Sequence, residues 1–221
     1  MKLLFEFPIR ITLAAFIVLV LWWASFVSIP YLLNLSIIVG GPLLVLPVSW
    51  AGRKILDRNH ASVKWVTTFV HFAVLLLLGV PFIRVLTTHQ NWADWVLPVP
   101  PVIGSALVII TGFACLLTVL DLALKGSGAP FFIALSKKLT TDWLYKWTRN
   151  PMVLATLAWF LSLGIQFQSV LFVLWVIVLF APSLLTYVKL YEERELEIRF
   201  GSSYLEYKSK TPMLFPRKPK S

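Results

Sequence analysis

Two groups of charged and aromatic residues stand in the C-terminal half of the chain. The first is residues 145–152, Tyr-Lys-Trp-Thr-Arg-Asn-Pro-Met, and the second is residues 192–207, which begins with a pair of glutamates. An arginine such as Arg149 can bind a carboxylate through two charge-assisted hydrogen bonds. A glutamate such as Glu192 can accept hydrogen bonds from hydroxyl or ammonium groups, and aromatic rings attract cations. These residue types are those of a binding site, provided that the fold brings them together.

The elements between the two groups can do so. Two apolar stretches, at about residues 152–167 and 170–190, separate them. A helix rises about 1.5 Å per residue, so each stretch can cross, or nearly cross, a bilayer core of about 30 Å. A hairpin of two such helices leaves and returns on the same side of the membrane. We therefore expect Arg149 and Glu192 to lie at a similar depth on one membrane face.

The composition predicts an integral membrane protein. Of the 221 residues, 58% are hydrophobic, whereas a soluble domain is about 45–50% apolar. The apolar stretches are too long for barrel strands and show no strand-like alternation. The sequence therefore predicts an all-α fold, a polytopic transmembrane helical bundle of about six spans, or five if the first two form one broken helix. The expected spans are residues 9–29, 32–50, 64–85, 98–124, 151–167 and 170–190.

The positive charges predict an orientation. The net charge is +10, and on a six-span map all of the 20 Lys and Arg residues except Arg84 fall on one side. Because positive loops face the cytoplasm, both termini are expected there. A basic face also suits anionic lipid, and topology explains the charge without nucleic-acid binding.

Metal chemistry has little support in the sequence. The single cysteine, Cys115, lies within a predicted span and supplies neither an internal disulfide nor a metal cluster. No pattern links the three histidines into a metal site. His71, in the middle of the third span, is either a functional group inside the membrane or a neutral imidazole bonded to a backbone or hydroxyl group.

The last helix is expected to continue beyond the membrane over residues 189–200. Lys189 and Glu193 are four residues apart, as are Glu195 and Arg199, which is the spacing of pairs on a solvated helix. Glu192 has no base four residues away and stands at the membrane boundary.

The order and spacing of these residues resemble the isoprenylcysteine carboxyl methyltransferase and phospholipid methyltransferase superfamily. Its signature contains a tyrosine, an Arg-His/Asn-Pro motif, a Gly-x-Gln element, a Glu-Glu pair and a Phe-Gly-x-x-Tyr-x-x-Tyr block. The resemblance covers about residues 105–216, including a glycine-containing turn at 126–130. The matching residues are Tyr145, Arg149-Asn150-Pro151-Met152, Gly164-Ile165-Gln166, Glu192-Glu193, Phe200-Gly201, Tyr204 and Tyr207, followed by Pro212 and Pro216.

Three positions depart from the family pattern. Trp143 stands where the family has a glycine two residues before the tyrosine, and Val153 stands where an aromatic residue is common. Asn150 replaces the histidine of the eukaryotic carboxyl methyltransferases, so that histidine's role does not transfer. These departures affect the inference about the methyl acceptor more than the inference about the methyl donor.

The resemblance implies S-adenosylmethionine as the methyl donor and a lipophilic or lipidated acceptor that enters from the membrane lipid. It implies a donor pocket at the cytoplasmic face, covered by a C-terminal helix and tail, with no metal. Arg149 and Glu193 are the implied catalytic residues. The implied cofactor-binding residues are Tyr145, Trp147, Arg149, Asn150, Pro151, Gln166, Glu192, Glu193, Tyr204 and Tyr207.

The resemblance also divides the chain. Residues 1–97 would be N-terminal transmembrane helices, and residues 98–221 a methyltransferase-like core, within one membrane domain. The core would contain two spans, a cytoplasmic loop at 125–150, a helical hairpin at 151–190, and the C-terminal helix and tail. The Arg-Asn-Pro-Met form of the motif favours a prokaryotic inner membrane.

Other functions stay open at the level of sequence. Sterol reductases share this membrane core by resemblance and use a nicotinamide cofactor, although the Glu-Glu pair favours methyl transfer. A non-catalytic membrane protein would be supported by polar residues in the middle of several spans, which are scarce apart from His71. The acceptor group, whether carboxylate, thiol or amine, is not determined.

Overall fold

The computed structural model describes residues 2–89, 95–125 and 138–218, with side chains from residue 8 onward. Within these ranges the chain is helical, apart from short connections and an isolated antiparallel bridge between Val96 and Ser169. Residues 126–137, which contain the expected glycine turn and part of the expected loop, lie outside the description. The helices are α1 (Lys2–Phe26), α2 (Tyr31–Arg58), α3 (Val63–Thr88), α4 (Pro101–Lys125), α5 (Pro151–Gln166), α6 (Val170–Phe200) and α7 (Ser202–Lys210).

Most of these helices can span a membrane. By length and composition α1, α2, α3, α4 and α6 are long and apolar enough to cross one, five helices in the described part of the chain. The apolar helix α5 has 16 residues, about 24 Å at 1.5 Å per residue. The prediction of an all-α, polytopic helical bundle is therefore confirmed, and the chain is an integral membrane protein.

The first apolar region forms two helices rather than one broken helix. Residues 27–30 between α1 and α2 are not helical. Near the end of α3, the buried Arg84 donates from Nε to Asn34 Oδ1 of α2 at 2.7 Å. Its Nη1 donates to the carbonyls of Ala24 and Val27 at 2.9 and 2.8 Å. The end of α1, the start of α2 and the end of α3 therefore meet at Arg84.

The chain forms two compact units. The described part of the first unit comprises residues 2–89 and 177–195, and that of the second comprises residues 95–125, 138–176 and 196–218. The sequence predicts a division into N-terminal helices at residues 1–97 and a core at residues 98–221, and this division stays a prediction.

In the first unit, glycines allow α2 to approach its neighbours closely. A Cβ atom at Gly41 would lie 2.6 Å from the carbonyl oxygen of Leu77 on α3. One at Gly52 would lie 2.7 Å from Val70 Cγ2 and 2.8 Å from the Tyr191 ring. Because real Cβ contacts are not this short, close packing of the unit depends on these glycines.

His71 is held inside the first unit by hydrogen bonds. Its Nδ1 lies 2.8 Å from the Thr67 carbonyl oxygen, and its Nε2 lies 2.9 Å from the Tyr187 hydroxyl. A neutral imidazole that donates from Nδ1 and accepts at Nε2 satisfies both contacts. The structure therefore favours the interpretation of His71 as an imidazole bonded to a backbone carbonyl and a hydroxyl group.

In the second unit, α4 packs along α5. A Cβ atom at Gly104 would lie 2.6 Å from the Gln166 Cα atom, so the two backbones are nearly in contact there. Further along the same interface, the Thr111 hydroxyl donates to Ser162 Oγ at 3.2 Å.

The turn between α5 and α6 falls where the sequence predicts a hairpin. Gln168 has φ +53, and Ser169 caps α6 by accepting from the Phe172 amide at 3.1 Å. The Leu97 amide donates to the Gln168 carbonyl at 2.8 Å, and Gln168 Nε2 donates to the Val99 carbonyl at 2.7 Å. The turn is thereby fixed to the segment that leads into α4.

Candidate functional site

A short 3-10 turn, Trp143–Lys146, precedes α5 in the second unit. The Tyr145 amide donates to the Asp142 carbonyl at 3.0 Å. Trp143 has φ +49, in the left-handed region that favours glycine. This angle gives a physical reason for the glycine that the family pattern has here. A tryptophan in this conformation is strained by about 1–2 kcal/mol.

The segment between this turn and α5 is bonded to the C-terminal tail. The Arg149 amide donates to the Pro212 carbonyl at 2.9 Å. The Asn150 side-chain amide donates to the Met213 carbonyl at 2.8 Å, and the Thr148 hydroxyl donates to the same oxygen at 3.2 Å. The Arg-Asn-Pro motif is therefore also a docking point for the tail.

The Arg149 guanidinium is half-buried beside α7. Its Nη1 donates to the Lys208 carbonyl at 3.3 Å, in the last turn of α7, where carbonyls lack partners within the helix. A guanidinium has five N–H donors in a planar fork. The side chain is thus oriented by α7 and keeps a geometry suited to a carboxylate.

Helix α7 provides two buried tyrosines, one of which is hydrogen-bonded to the turn. Tyr204 and Tyr207 are buried, with ring centroids 6.3 Å apart. The Tyr207 hydroxyl donates to the Tyr145 carbonyl at 2.6 Å. Burial raises the pKa of the Tyr207 phenol above its ordinary value, against a smaller opposing effect of Arg149. The phenol therefore keeps its proton and remains a donor to the turn.

Aromatic surface is accessible next to Arg149 in the sequence. Trp147 is 47% exposed, and Tyr145 is half-buried. The Trp147 carbonyl accepts from the Arg217 amide at 3.0 Å, which extends the contact with the tail. Tyr145 and Trp147, both in the first group of site candidates, are thus more accessible to a ligand than the buried Tyr204 and Tyr207.

Gln166 does not join this cluster. It is the last residue of α5, whereas Pro151 is the first, so the two lie about 22 Å apart along the helix axis. The Gln166 Oε1 accepts from the Ser105 hydroxyl at 3.1 Å. The expectation that Gln166 shares a site with Pro151 is not met, because a straight helix holds them at opposite ends.

Glu192 and Glu193 belong to the first unit, on α6. A π-helical segment, Val188–Glu192, ends at this pair, and such segments are frequent at functional sites. Glu193 is 6% exposed and Glu195 is 2% exposed. The interpretation of residues 193 and 195 as members of a solvated helix face is therefore wrong. The role of Glu192 and Glu193 in donor binding stays a prediction.

Sequence reasoning missed two buried residues. Thr148 is 2% exposed and donates to the tail, and Glu195 is buried three residues after Glu192. The i, i+3 spacing of the two glutamates places them on one face of a helix and would have revealed Glu195. No sequence signal marks Thr148, because its partner is a backbone carbonyl.

Comparison with known proteins agrees with the motifs. Residues 100–203 match the model of a family described as phospholipid methyltransferase. The match covers just under half of the chain and includes the turn, the Arg-Asn-Pro motif, the Glu-Glu pair and the Phe-Gly motif.

The phospholipid methyltransferase family lies within the superfamily that the sequence resembles, so that prediction is confirmed. The match indicates a membrane methyltransferase that acts on a lipid or lipophilic substrate. Comparisons with curated proteins and with solved structures give no match. Among the residues that the structure describes, no group of three or more His, Cys, Asp or Glu side chains is placed to hold a metal ion.

Proposed function

We propose that the protein transfers a methyl group from S-adenosylmethionine to a lipophilic acceptor at the cytoplasmic face of the membrane. The observation that carries this proposal is that the family match contains residues 145–151, and that α7 and the tail hold this segment in the second unit. Family membership supports methyl transfer over nicotinamide-dependent reduction or a purely structural role.

The residues of the cluster fit the chemical groups of the donor. The donor carries a carboxylate, an ammonium, a sulfonium, a ribose and an adenine. The Arg149 fork suits the carboxylate, and the rings of Tyr145 and Trp147 suit either the sulfonium cation or the flat adenine. We assign direct contact to these residues.

The other members of the cluster have supporting roles in this proposal. The Asn150 amide holds the tail, and Pro151 opens α5 with a φ already suited to a first helical turn. Tyr207 fixes the carbonyl of Tyr145, and Tyr204 packs beside it. Substitution of these residues should weaken donor binding by changing the conformation of the turn.

The reaction requires little acid–base catalysis by the protein. The donor supplies a methyl group on a sulfonium sulfur, and transfer is an in-line displacement at carbon. For a carboxylate or thiolate acceptor, the residues need to align the partners and exclude water. An amine acceptor must lose a proton, and the buried Glu193 is the base that we propose for that case.

The proposed face of the membrane follows from charge. Basic residues flank α2, α3 and α4 at their expected cytoplasmic ends, and the tail is basic as well. A soluble donor is available on that side. The acceptor would reach the site laterally, from the bilayer.

The acceptor class can be decided by experiment. The description of the family supports a lipid, and a phospholipid amine is the first acceptor to test. Lipid extracts from cells with and without active protein should differ by a species that has gained one methylene in mass. If the added methyl group survives treatment with base, the product is an amine or a thioether, whereas a methyl group released by base indicates a methyl ester.

Donor binding can be tested by titrating the detergent-purified protein with S-adenosylhomocysteine in a calorimeter. Saturable binding is expected, and Arg149→Ala should weaken it by about 1.5–3 kcal/mol, the usual contribution of a bond to a charged group. No saturable binding by protein that is shown to be folded would refute the proposal.

The matched variant for this titration is Asn150→Ala. It removes a bond to the tail next to Arg149 without removing a charge. If Arg149 acts only by docking the tail, the two variants should lose similar affinity. A clearly larger loss for Arg149→Ala indicates direct contact with the donor.

A further inference from the structure

One lysine ties the end of α4 to the turn that carries Tyr145. The Lys125 ammonium lies 3.1 Å from Asp121 Oδ1 and 3.2 Å from Asp142 Oδ2. It also lies 5.3 Å from the centroid of the Trp143 ring, within range of a cation–π interaction. Asp121 is one helical turn before Lys125, whereas Asp142 and Trp143 begin the turn. A single ammonium thus links two elements of the second unit.

Burial shows which end of this link is fixed. The Asp121 side chain is 0% exposed, whereas that of Asp142 is 68% exposed. The Asp121 carboxylate oxygens receive no well-aligned hydrogen bond, so Lys125 compensates the buried charge by ion pairing. A buried carboxylate without a cation is strongly unfavourable. Lys125 is therefore held by α4, and the exposed Asp142 is positioned by Lys125.

The turn needs such a contact because its backbone is strained. Trp143 has φ +49, which a tryptophan adopts only when its surroundings impose it. The Lys125 ammonium contacts the ring of this same residue. On the other side, Tyr207 holds the carbonyl of Tyr145. The turn is therefore clamped between the end of α4 and helix α7.

We propose that Lys125 is a positioning residue for the methyl donor, acting through Asp142 and Trp143 on the turn that presents Tyr145 and Trp147. This inference rests on the proposed function, since it assigns Lys125 to the same donor site. Lys125 does not touch the donor in this account. Its effect is to keep the aromatic residues in the conformation that binds.

The test compares S-adenosylhomocysteine affinities of folded variants. Lys125→Met should raise the dissociation constant about tenfold, which corresponds to about 1.4 kcal/mol. Asp142→Asn, which leaves the pair with Asp121 intact, should raise it severalfold. The double variant should bind about as weakly as Lys125→Met alone, because both changes break one link. Lys125→Arg should restore most of the affinity.

Lys54→Met is the matched control. Lys54 lies 5.7 Å from the centroid of the Trp50 ring in α2, so this change also removes an ammonium from above a tryptophan. Its affinity should equal that of the parent. A purely structural role of Lys125 would lower the melting temperature of Lys125→Met and leave its affinity unchanged at temperatures where it is folded.

Hydrogen exchange separates failure of this inference from failure of the proposed function. In ligand-free protein, Lys125→Met and Asp142→Asn should speed amide exchange at Tyr145 and Trp147, and Lys54→Met should not. If the folded parent does not bind S-adenosylhomocysteine, the proposed function falls, and faster exchange still identifies Lys125 as the residue that positions the turn. If Asp142→Asn has the same affinity and the same amide exchange rates as the parent, the inference is overturned. This outcome is decisive even if Lys125→Met fails to fold.

Discussion

At the scale of single residues, two positive φ angles lie within the family motifs. Trp143 has φ +49 and Gly201 has φ +56. At the first position this chain has replaced the glycine of the family pattern, and at the second it has kept it. The difference follows from contacts, because Trp143 is held by Lys125, whereas a Cβ atom at Gly201 would meet nothing within 4 Å. The glycine of the Phe-Gly motif is thus needed for its backbone alone.

Gly201→Ala should destabilise the protein by about 1–2 kcal/mol through backbone strain. The measurement is the melting temperature in detergent. Gly40→Ala is the control, since a Cβ atom there also meets nothing within 4 Å and lies in helix α2 with ordinary φ. The control should be neutral or slightly stabilising. Equal effects of the two changes would rule out φ as the cause.

Tyr207→Phe should cost about 0.5–1.5 kcal/mol by removing the bond to the Tyr145 carbonyl. Tyr31→Phe, which removes the hydroxyl of a 64% exposed tyrosine, should change nothing measurable. Melting temperatures of the two variants and the parent provide the comparison. A Tyr207→Phe variant as stable as the parent would show that the bond does not hold the turn.

The same tyrosine predicts a dependence on pH. Burial raises the pKa of Tyr207 in the folded state, whereas in the unfolded chain it is about 10. Its contribution to stability is therefore complete below pH 10 and is lost as the pH rises toward the folded pKa. The stability advantage of the parent over Tyr207→Phe should shrink above about pH 10. An advantage that grows with pH would contradict the burial of this phenol.

At the scale of elements, helix positions could be predicted from the sequence and helix contacts could not. The length of the apolar stretches predicts the spans, since a bilayer requires about 20 such residues. Helix α2 continues to Arg58 and α6 to Phe200, beyond the ends of their expected spans. The bonds from Thr148 and Asn150 to the tail were not predictable, since their acceptor is a backbone carbonyl, which has no residue type. For Gln166 the motif predicts a place in the donor site, but its position at the end of α5 does not bring it near Pro151.

The contact between α4 and α5 provides a prediction at this scale. Gly104→Ala would place a Cβ atom 2.6 Å from the Gln166 Cα atom, so the helices must separate. Overpacking of this kind costs about 1–3 kcal/mol. The melting temperature should fall well below that of the Gly40→Ala control. A neutral result would mean that the two helices are not packed as described.

At the scale of the whole molecule, the proposed function depends on the orientation of the protein in the membrane. In the described part of the chain, five long apolar helices and the shorter α5 give an even number of crossings if α5 also spans, and the orientation that we propose puts the basic loops on the cytoplasmic side. The family match covers α4, α5 and α6, and this is the part of the chain where we propose that the donor binds. Orientation therefore decides whether a soluble donor can reach it.

Single cysteines can test the orientation. In a Cys115→Ser background, Ser28→Cys lies between α1 and α2 and His60→Cys lies between α2 and α3; both original residues are exposed. A membrane-impermeant thiol reagent applied to intact cells should label Ser28→Cys and should label His60→Cys only after lysis. The reverse pattern would place the basic loops outside.

Methyl transfer from S-adenosylmethionine to a lipid can be measured directly. The most direct measurement incubates the purified protein with donor that carries a deuterated methyl group and with a membrane lipid extract, followed by mass spectrometry of the lipids. We predict a lipid that gains the labelled methyl group with the parent and with Lys54→Met, and gains far less with Arg149→Ala. Folded parent protein that transfers no label to any lipid, under conditions where it binds the donor product, would contradict the account.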